Sequence, residues 1–256
     1  MKNYPFVLGA QALRMIDLAG FYAAIANEGL KVTPYSIDAI EQAGRVVYRH
    51  KTPPPTYIAD GDRAAFYQLR TILEGVVSRG TAVAMKQHAG FIAGKTGTTD
   101  SENDAWFAGF NADVTVIVWV GYDNARDKRT LGDGATGGRT AVPISEPIFQ
   151  AAWQYQAEKK LLPPPSAEAS KMLKPMPIDP YTGQRVSPSK TAFIEYFRAV
   201  GGKVRETQHA LVGAGRVASR PAWAAPAEER SAPAPVMRHA AAPSRAPRTL
   251  RELFGF

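Results

Sequence analysis

The sequence predicts an α+β fold, an antiparallel sheet flanked by helices, and three observations carry that expectation. Apolar residues recur at helical spacing in residues 10–28 and again from Asp60/Asp62 to Gly80. The period then changes to strand-like runs over residues 90–99, 105–110 and 114–122. The turns between those runs are too short for a crossover, so neighbouring strands must be antiparallel.

The first helix places Met15, Leu18, Tyr22 and Ile25 inward and stops at Asn27-Glu28-Gly29, a glycine-type C-cap. Residues 34–37 and 46–48 flank Ala43-Gly44 and read as a short hairpin, and Pro53-Pro54-Pro55 breaks the chain after it. Asp60 or Asp62 caps the second helix, which carries Phe66, Leu69, Ile72, Leu73 and Val76 inward and ends at Arg79-Gly80. Turns at Asp100-Ser101-Glu102-Asn103 and Asn111-Ala112-Asp113 separate the three strands. The last strand is apolar at nearly every position, which predicts burial on both faces. A Gly-rich loop over residues 132–138 leads through Pro143 to a third helix. Ser145 is its expected cap, with Ile148, Phe149, Ala152 and Trp153 inward.

Composition divides the chain in three. Residues 1–160 form the main body and residues 161–202 a proline-rich linker with a small satellite. That satellite has a turn at Asp179-Pro180-Tyr181-Thr182-Gly183 and an aromatic cluster of Phe193, Tyr196 and Phe197. Residues 203–256 are rich in Ala, Pro and Arg without a visible period, the pattern of a disordered basic tail. The tail carries nine Lys/Arg against four Asp/Glu, 9 − 4 = +5 of the net +8. Its partner, if any, is expected to be a protein docking at residues 250–256 rather than nucleic acid. The absence of cysteine excludes disulfides and thiolate metal sites. No apolar run reaches the ~18 residues a membrane helix needs. The first residues lack a signal-peptide pattern and lead at once into a helix, as expected of a chain beginning inside a domain.

The sharpest string is Gly94-Lys95-Thr96-Gly97-Thr98-Thr99. Gly-Lys-Thr closes the P-loop motif, but that motif needs four residues between its glycines. Gly90 and Gly94 enclose only Phe91, Ile92 and Ala93, an apolar run, and no helix pattern follows Lys95. The other claimant is the Lys-Thr-Gly box of serine acyl transferases. Such a site needs a cation near the nucleophile, hydroxyls for a substrate carboxylate and a backbone N–H for the oxyanion. Gly97 allows the backbone to approach a peptide lying along the strand. By the two-residue period Thr96 and Thr98 share one face and Lys95 starts on the other. An ordinary edge strand with solvated Lys and Thr is the bland alternative.

Beyond that box the sequence resembles the class A penicillin-binding proteins, the bifunctional cell-wall synthases. The likeness covers residues 8–157. It runs through residues 15–29, Ile72-Leu73-Glu74-Gly75-Val76-Val77 and Arg79-Gly80-Thr81-Ala82. It continues in residues 93–99, Asp104-Ala105-Trp106-Phe107-Ala108-Gly109-Phe110 and Val118-Trp119-Val120-Gly121-Tyr122-Asp123, and closes with residues 137–144. The resemblance implies a penicillin-binding, serine transpeptidase-like sheet, here incomplete on its N-terminal side with three strands of five. It implies a D,D-transpeptidase acting on the D-Ala-D-Ala stem peptide and acylated by β-lactams at the periplasmic face of the inner membrane. It gives Lys95 the place of the lysine beside the nucleophile, the Thr96 and Thr98 hydroxyls the carboxylate, Gly97 the close approach, and the Thr98 N–H half of the oxyanion hole. Trp106 and Phe107 are core. No metal or cofactor is implied.

One departure is large. The family's Ser-x-x-Lys and Ser-x-Asn motifs precede Lys-Thr-Gly, and no Ser-x-x-Lys precedes Lys95. Ser187-Pro188-Ser189-Lys190 comes later, with a helix-breaking Pro188, and Ser101-Glu102-Asn103 follows the box in a turn. The expectation is therefore a transpeptidase fragment without its nucleophile, inactive alone, lacking the glycosyltransferase domain and anchor of class A. A β-lactamase or D,D-carboxypeptidase relative and a non-catalytic interaction module are the rivals. Gly132-x-Gly134-x-x-Gly137 matches a dinucleotide fingerprint, but Pro143 follows where a helix should run. His50, His88, His209 and His239 have no metal-ligand spacing.

Overall fold

The structure, a computed structural model, describes residues 13–122, 129–155, 159–189 and 191–204. Two compact units are distinguished, residues 1–180 with 184–208, and residues 181–183 with 209–256. Of the second, only the turn at Tyr181, Thr182 and Gly183 is described.

Helix α1 (Met15–Ala26) ends as its sequence predicts. Glu28 and Gly29 take φ of 51° and 89°, and the Gly29 N–H donates to the Ala24 carbonyl at 2.7 Å. Gly29 is needed twice over, because a Cβ there would stand 2.6 Å from the Phe66 ring. Ile25 packs with Phe66, Leu73, Ala93 and Phe110. Met15, expected inward, is exposed, as are Leu13, Ile16 and Phe21. The helix is apolar on every side, so spacing alone does not select its buried face.

The hairpin pairs β1 (Ala39–Gln42) with β2 (Arg45–Arg49). Its first strand lies nearer the turn than residues 34–37. Ala43 and Gly44 have φ of 49° and 76°, and a two-residue turn of that hand makes its immediate neighbours Gln42 and Arg45 pair.

Helix α2 (Arg63–Arg79) is capped by Asp62, whose side chain accepts from the Ala65 N–H at 3.1 Å. Phe66, Leu73 and Val77 face the sheet, whereas Ile72 is exposed. On another side, Ala64 and Tyr67 pack with Ala169 and Leu173. A short 3-10 segment, Val83–His88, follows where the sequence gives no periodic signal. Met85 is buried there, and the His88 ring lies 3.0 Å from Glu146 and 3.1 Å from the Lys159 ammonium. His88 is thus a core tie rather than a ligand.

Strands β3 (Ala93–Thr98), β4 (Asp104–Phe110) and β5 (Thr115–Gly121) form the antiparallel sheet in that order. β5 departs from the expected burial on both faces. Val116 and Val118 are buried, while Ile117 and Trp119 are half-buried. That second face is made by Trp119 against Trp106, with centroids 5.9 Å apart, and the Trp119 indole N–H donates to Asp104 at 2.7 Å. The indole keeps a polar partner, so the face stays partly open.

Helix α3 (Ala141–Tyr155) begins earlier than expected. The Gly137 carbonyl accepts from the N–H groups of Ala141 and Val142, both at 3.0 Å, which starts the helix before Ser145 can cap it. Ser145 is buried instead, and its hydroxyl donates to the Val142 carbonyl at 2.8 Å. Phe149 is buried, but Ile148 is exposed rather than inward.

The C-terminal elements are α4 (Ala167–Lys171), β6 (Leu173–Ile178), β7 (Phe193–Val200) and β8 (Lys203–Val204), with sheet order β6-β7-β8. They are tied to α2 by Arg198 on Asp62, by Arg63 on Glu168 at 2.8 Å, and by the Gln68 amide donating to the Tyr196 carbonyl at 2.8 Å. Lys203 and Val204, grouped with the tail by composition, pair with Val200 and Ala199, because a strand edge was available to them. The rest of that stretch, Lys190 of the Ser187 string, His209, His239 and residues 250–256 lie outside the described residues.

Two outcomes follow from this architecture. The Asn111 N–H donates to the Val114 carbonyl at 2.9 Å, which with the register puts the backbone groups of Thr115, Ile117, Trp119 and Gly121 on the outer edge of β5. No strand pairs there among the described residues. An open apolar edge drives association. The isolated chain should sediment as a dimer or larger, and Ile117→Pro, which removes one outward N–H, should shift it toward monomer; a parent chain that stays monomeric would contradict this. The second outcome concerns Asp62, whose carboxyl is held below its usual range chiefly by the Arg198 hydrogen bond. Its contribution is full above the unfolded carboxylate value and fades as pH falls through the lowered folded value. Asp62→Ala should cost about 1–2 kcal/mol at pH 7, with the gap to the parent narrowing in acid denaturation curves.

Candidate active site

The Lys-Thr-Gly string lies on β3, which among the described residues is an end strand hydrogen-bonded to β4 alone. The P-loop alternative fails in structure as in sequence, since the chain runs on from Lys95 as a strand and not as a helix. Side chains alternate as the period predicts. Lys95 is exposed on one face, and Thr96 and Thr98 lie on the other.

Hydrogen bonding alternates as well, and it sorts the backbone. The Thr99 N–H donates to the Asp104 carbonyl at 3.1 Å. With the observed register, Gly97 and Lys95 then bond to Trp106 and Ala108, while Thr96 and Thr98 are non-bonded pairs with Phe107 and Ala105. The N–H and C=O of Thr96 and Thr98 therefore point to the open edge. No described residue bonds to either N–H. The Thr96 carbonyl is covered by the Lys95 ammonium, which donates to it at 2.7 Å and so reaches around the strand from its own face.

The two threonines differ. Thr96 is 8% exposed, and its hydroxyl meets that of Thr81 at 2.6 Å. Both hydroxyls were expected to face a ligand; the Thr96 hydroxyl lies on the inward side beside Thr81, and that of Thr98 is the more exposed. That hydroxyl accepts from the Gly137 N–H at 3.0 Å, which leaves its own proton to donate. Gly97 is tight on its Trp106 side, where a Cβ would lie 3.1 Å from the Trp106 Cβ.

Sequence reasoning missed the neighbours Thr81, Gly137 and Gly138. The 132–138 loop is no dinucleotide turn but a plug on the sheet. A Cβ on Gly137 would lie 2.4 Å from the Trp106 carbonyl and 2.5 Å from that of Gly97, and one on Gly138 would lie 2.4 Å from the Thr81 carbonyl. Glu102 holds the loop, its carboxylate accepting from the Gly134 N–H at 3.0 Å and its carbonyl from the Leu131 N–H at 2.9 Å. Ser101 sits in that turn at φ 60°, and Asn103 donates to the Asp100 carbonyl at 3.2 Å, so the Ser-x-Asn letters here build a turn. The signal available was the Gly137-Gly138 pair directly before a helix.

Comparison with known proteins decides the family. The penicillin binding protein transpeptidase domain matches residues 9–150. The chain belongs to that family. Within it, the chain is 31% identical over 209 residues to penicillin-binding protein 1A of Rickettsia bellii, covering 73% of this chain and 25% of that protein. It is 28% identical over 251 residues to penicillin-binding protein 1A of Pseudomonas aeruginosa, covering 77% and 29%. The solved structure of penicillin-binding protein 1A from Haemophilus influenzae superposes with a TM-score of 0.62 at 26% identity, over 82% of this chain and 35% of that one. The chain thus spans about a quarter of the length of the curated relatives it matches. The match covers β3 and the loop that plugs it, so the edge described above is part of the transpeptidase domain.

Gly137→Ala should lower stability by about 1–3 kcal/mol, since backbone on both strands must move to admit the methyl; urea unfolding measures it, and a variant as stable as the parent would show that the loop is not seated on β3.

Proposed function

We propose that this chain is the C-terminal part of the transpeptidase domain of a class A penicillin-binding protein, serving a peptidoglycan D,D-transpeptidase at the periplasmic face of the inner membrane. The observation that carries the reading is the free Thr98 N–H on an open strand edge, beside a hydroxyl whose proton is free and around the strand from an exposed ammonium. A stem peptide lying along β3 adds a strand to that edge. Its terminal carboxylate takes the Thr98 hydroxyl, with Thr96 holding the strand through Thr81 and Gly97 keeping the way clear. A serine supplied by a segment not in this chain attacks the penultimate D-Ala carbonyl, and the Thr98 N–H supports the oxyanion. The C–N bond to the terminal D-Ala breaks and that residue leaves. The amine of a neighbouring peptide then displaces the serine from the ester. Lys95 supplies the cation near that serine. A β-lactam, carrying a carboxylate beside a strained amide, acylates the same serine.

No Ser-x-x-Lys precedes Lys95, and neither a cation nor an oxyanion donor replaces a nucleophile. Fluorescent penicillin should leave the isolated chain unlabelled on a denaturing gel. In a longer protein joining this segment to a Ser-x-x-Lys segment, labelling should appear. There Lys95→Ala should slow it about 100-fold or more, and Thr98→Pro, which deletes the edge N–H, about 100- to 1,000-fold. Covalent labelling of the isolated chain would refute its incompetence; unchanged labelling in both variants would refute the site.

A further inference from the structure

A recess of about 310 Å³ lies between α2 and β7 and is lined by none of the residues Lys95 to Thr98. That is the small end of the range for small-molecule sites, roughly 300–1,000 Å³. Its floor is the stripe Tyr67, Thr71, Glu74 and Ser78, one face of α2 by spacing, with Ile194 and Tyr196 opposite. A helix face turned toward a sheet ordinarily carries apolar residues. This one carries an acid and ends at a guanidinium.

Both charges are held in place. Arg79 folds back along its own helix, so close over Gly75 that a Cβ there would meet its Nη2 at 2.8 Å, and it stacks on the Phe193 ring at 3.9 Å. Its hydrogen bond is to the neighbouring Ser78 hydroxyl at 3.3 Å. No carboxylate lies within 4.0 Å of it among the described residues; Glu195 and Glu74 act on its charge from farther off. Glu74 pairs one oxygen with the buried Arg70 Nε at 3.3 Å and also feels the Arg79 charge. Burial pushes the Glu74 carboxyl up and the Arg79 guanidinium down. Each bears a desolvation cost that a bound counter-charge would offset.

We propose that this recess binds a free α-amino acid as its zwitterion. The ammonium takes the Glu74 carboxylate, and the carboxylate takes the planar fork of Arg79, which suits two parallel hydrogen bonds. The side chain lies against Ile194 and Tyr196. A ligand carrying both charges on one carbon engages both groups at once.

The test uses the 256-residue chain with a labelled Ile194 methyl, titrated by NMR with DL-valine. A saturable shift below about 20 mM is expected, with the Ile40 methyl on the β1-β2 hairpin unmoved. Isovalerate and isobutylamine, the two halves of the probe, should each bind at least about tenfold more weakly. Those titrations use the unaltered chain and do not depend on a variant folding. Glu74→Gln and Arg79→Gln should each weaken valine binding by a similar factor. A flat Ile194 response, equal binding of either half-molecule, or undiminished affinity in both folded variants would overturn the assignment.

Discussion

Antiparallel strands bond through every second residue, and a single bond therefore fixes the chemistry available along a whole edge. Here the Thr99 N–H on the Asp104 carbonyl sets the phase for β3, and the Asn111 N–H on the Val114 carbonyl sets it for β5. Even-numbered residues of β4 then serve β3, and odd-numbered ones serve β5. Two parities act on the box at once. Side-chain parity separates Lys95 from Thr96 and Thr98, while bonding parity frees the backbone of Thr96 and Thr98 and ties down Gly97. A one-residue slip would exchange both sets, burying Lys95 and turning the Thr98 N–H into the sheet. The Gly137 contact opposes that slip, because its Cα sits over the bonded Gly97–Trp106 pair and its N–H holds the Thr98 hydroxyl.

Where a residue's environment is set by its own neighbours in sequence, the sequence is legible. The Gly29 stop, the Asp62 cap and the turns after β3 and β4 all depend on contacts within a few residues, and each stands where its residue types put it. The placement of Lys95 opposite the two threonines has the same origin. What escaped notice depends on distant approach. Val83–His88 has no period, and its burial rests on Met85 and His88 meeting α3 and Lys159. Nothing local to Thr96 says that Thr81 will take its hydroxyl. Ser145 looks like a cap until the Gly137 carbonyl is found starting the helix first.

The same distinction explains why α1 misled. A helix apolar on all sides is normal in a large core, and its inward face is chosen by what it packs on. β4 and β5 choose Ile25 and Tyr22 and leave Leu13, Ile16 and Phe21 outside. The α2 stripe is the converse case. Its polar residues face β7, a position that composition would assign to apolar ones, and there Thr71 meets Glu195 at 3.4 Å while Glu74 pairs with Arg70 at 3.3 Å.

An ammonium on one face and a hydroxyl on the other cannot by themselves converge on one substrate atom. Lys95 already bends toward the edge to reach the Thr96 carbonyl, and that carbonyl lies one residue from the free Thr98 N–H. The edge is thus where the cation and the free N–H both lie, whereas the hydroxyl belongs to one face. A peptide pairing at that edge would lie in the sheet plane and expose its carbonyl carbon out of it, as the proposed acyl transfer requires. The proposal therefore rests on the strand's alternation more than on the identity of any one residue in the box.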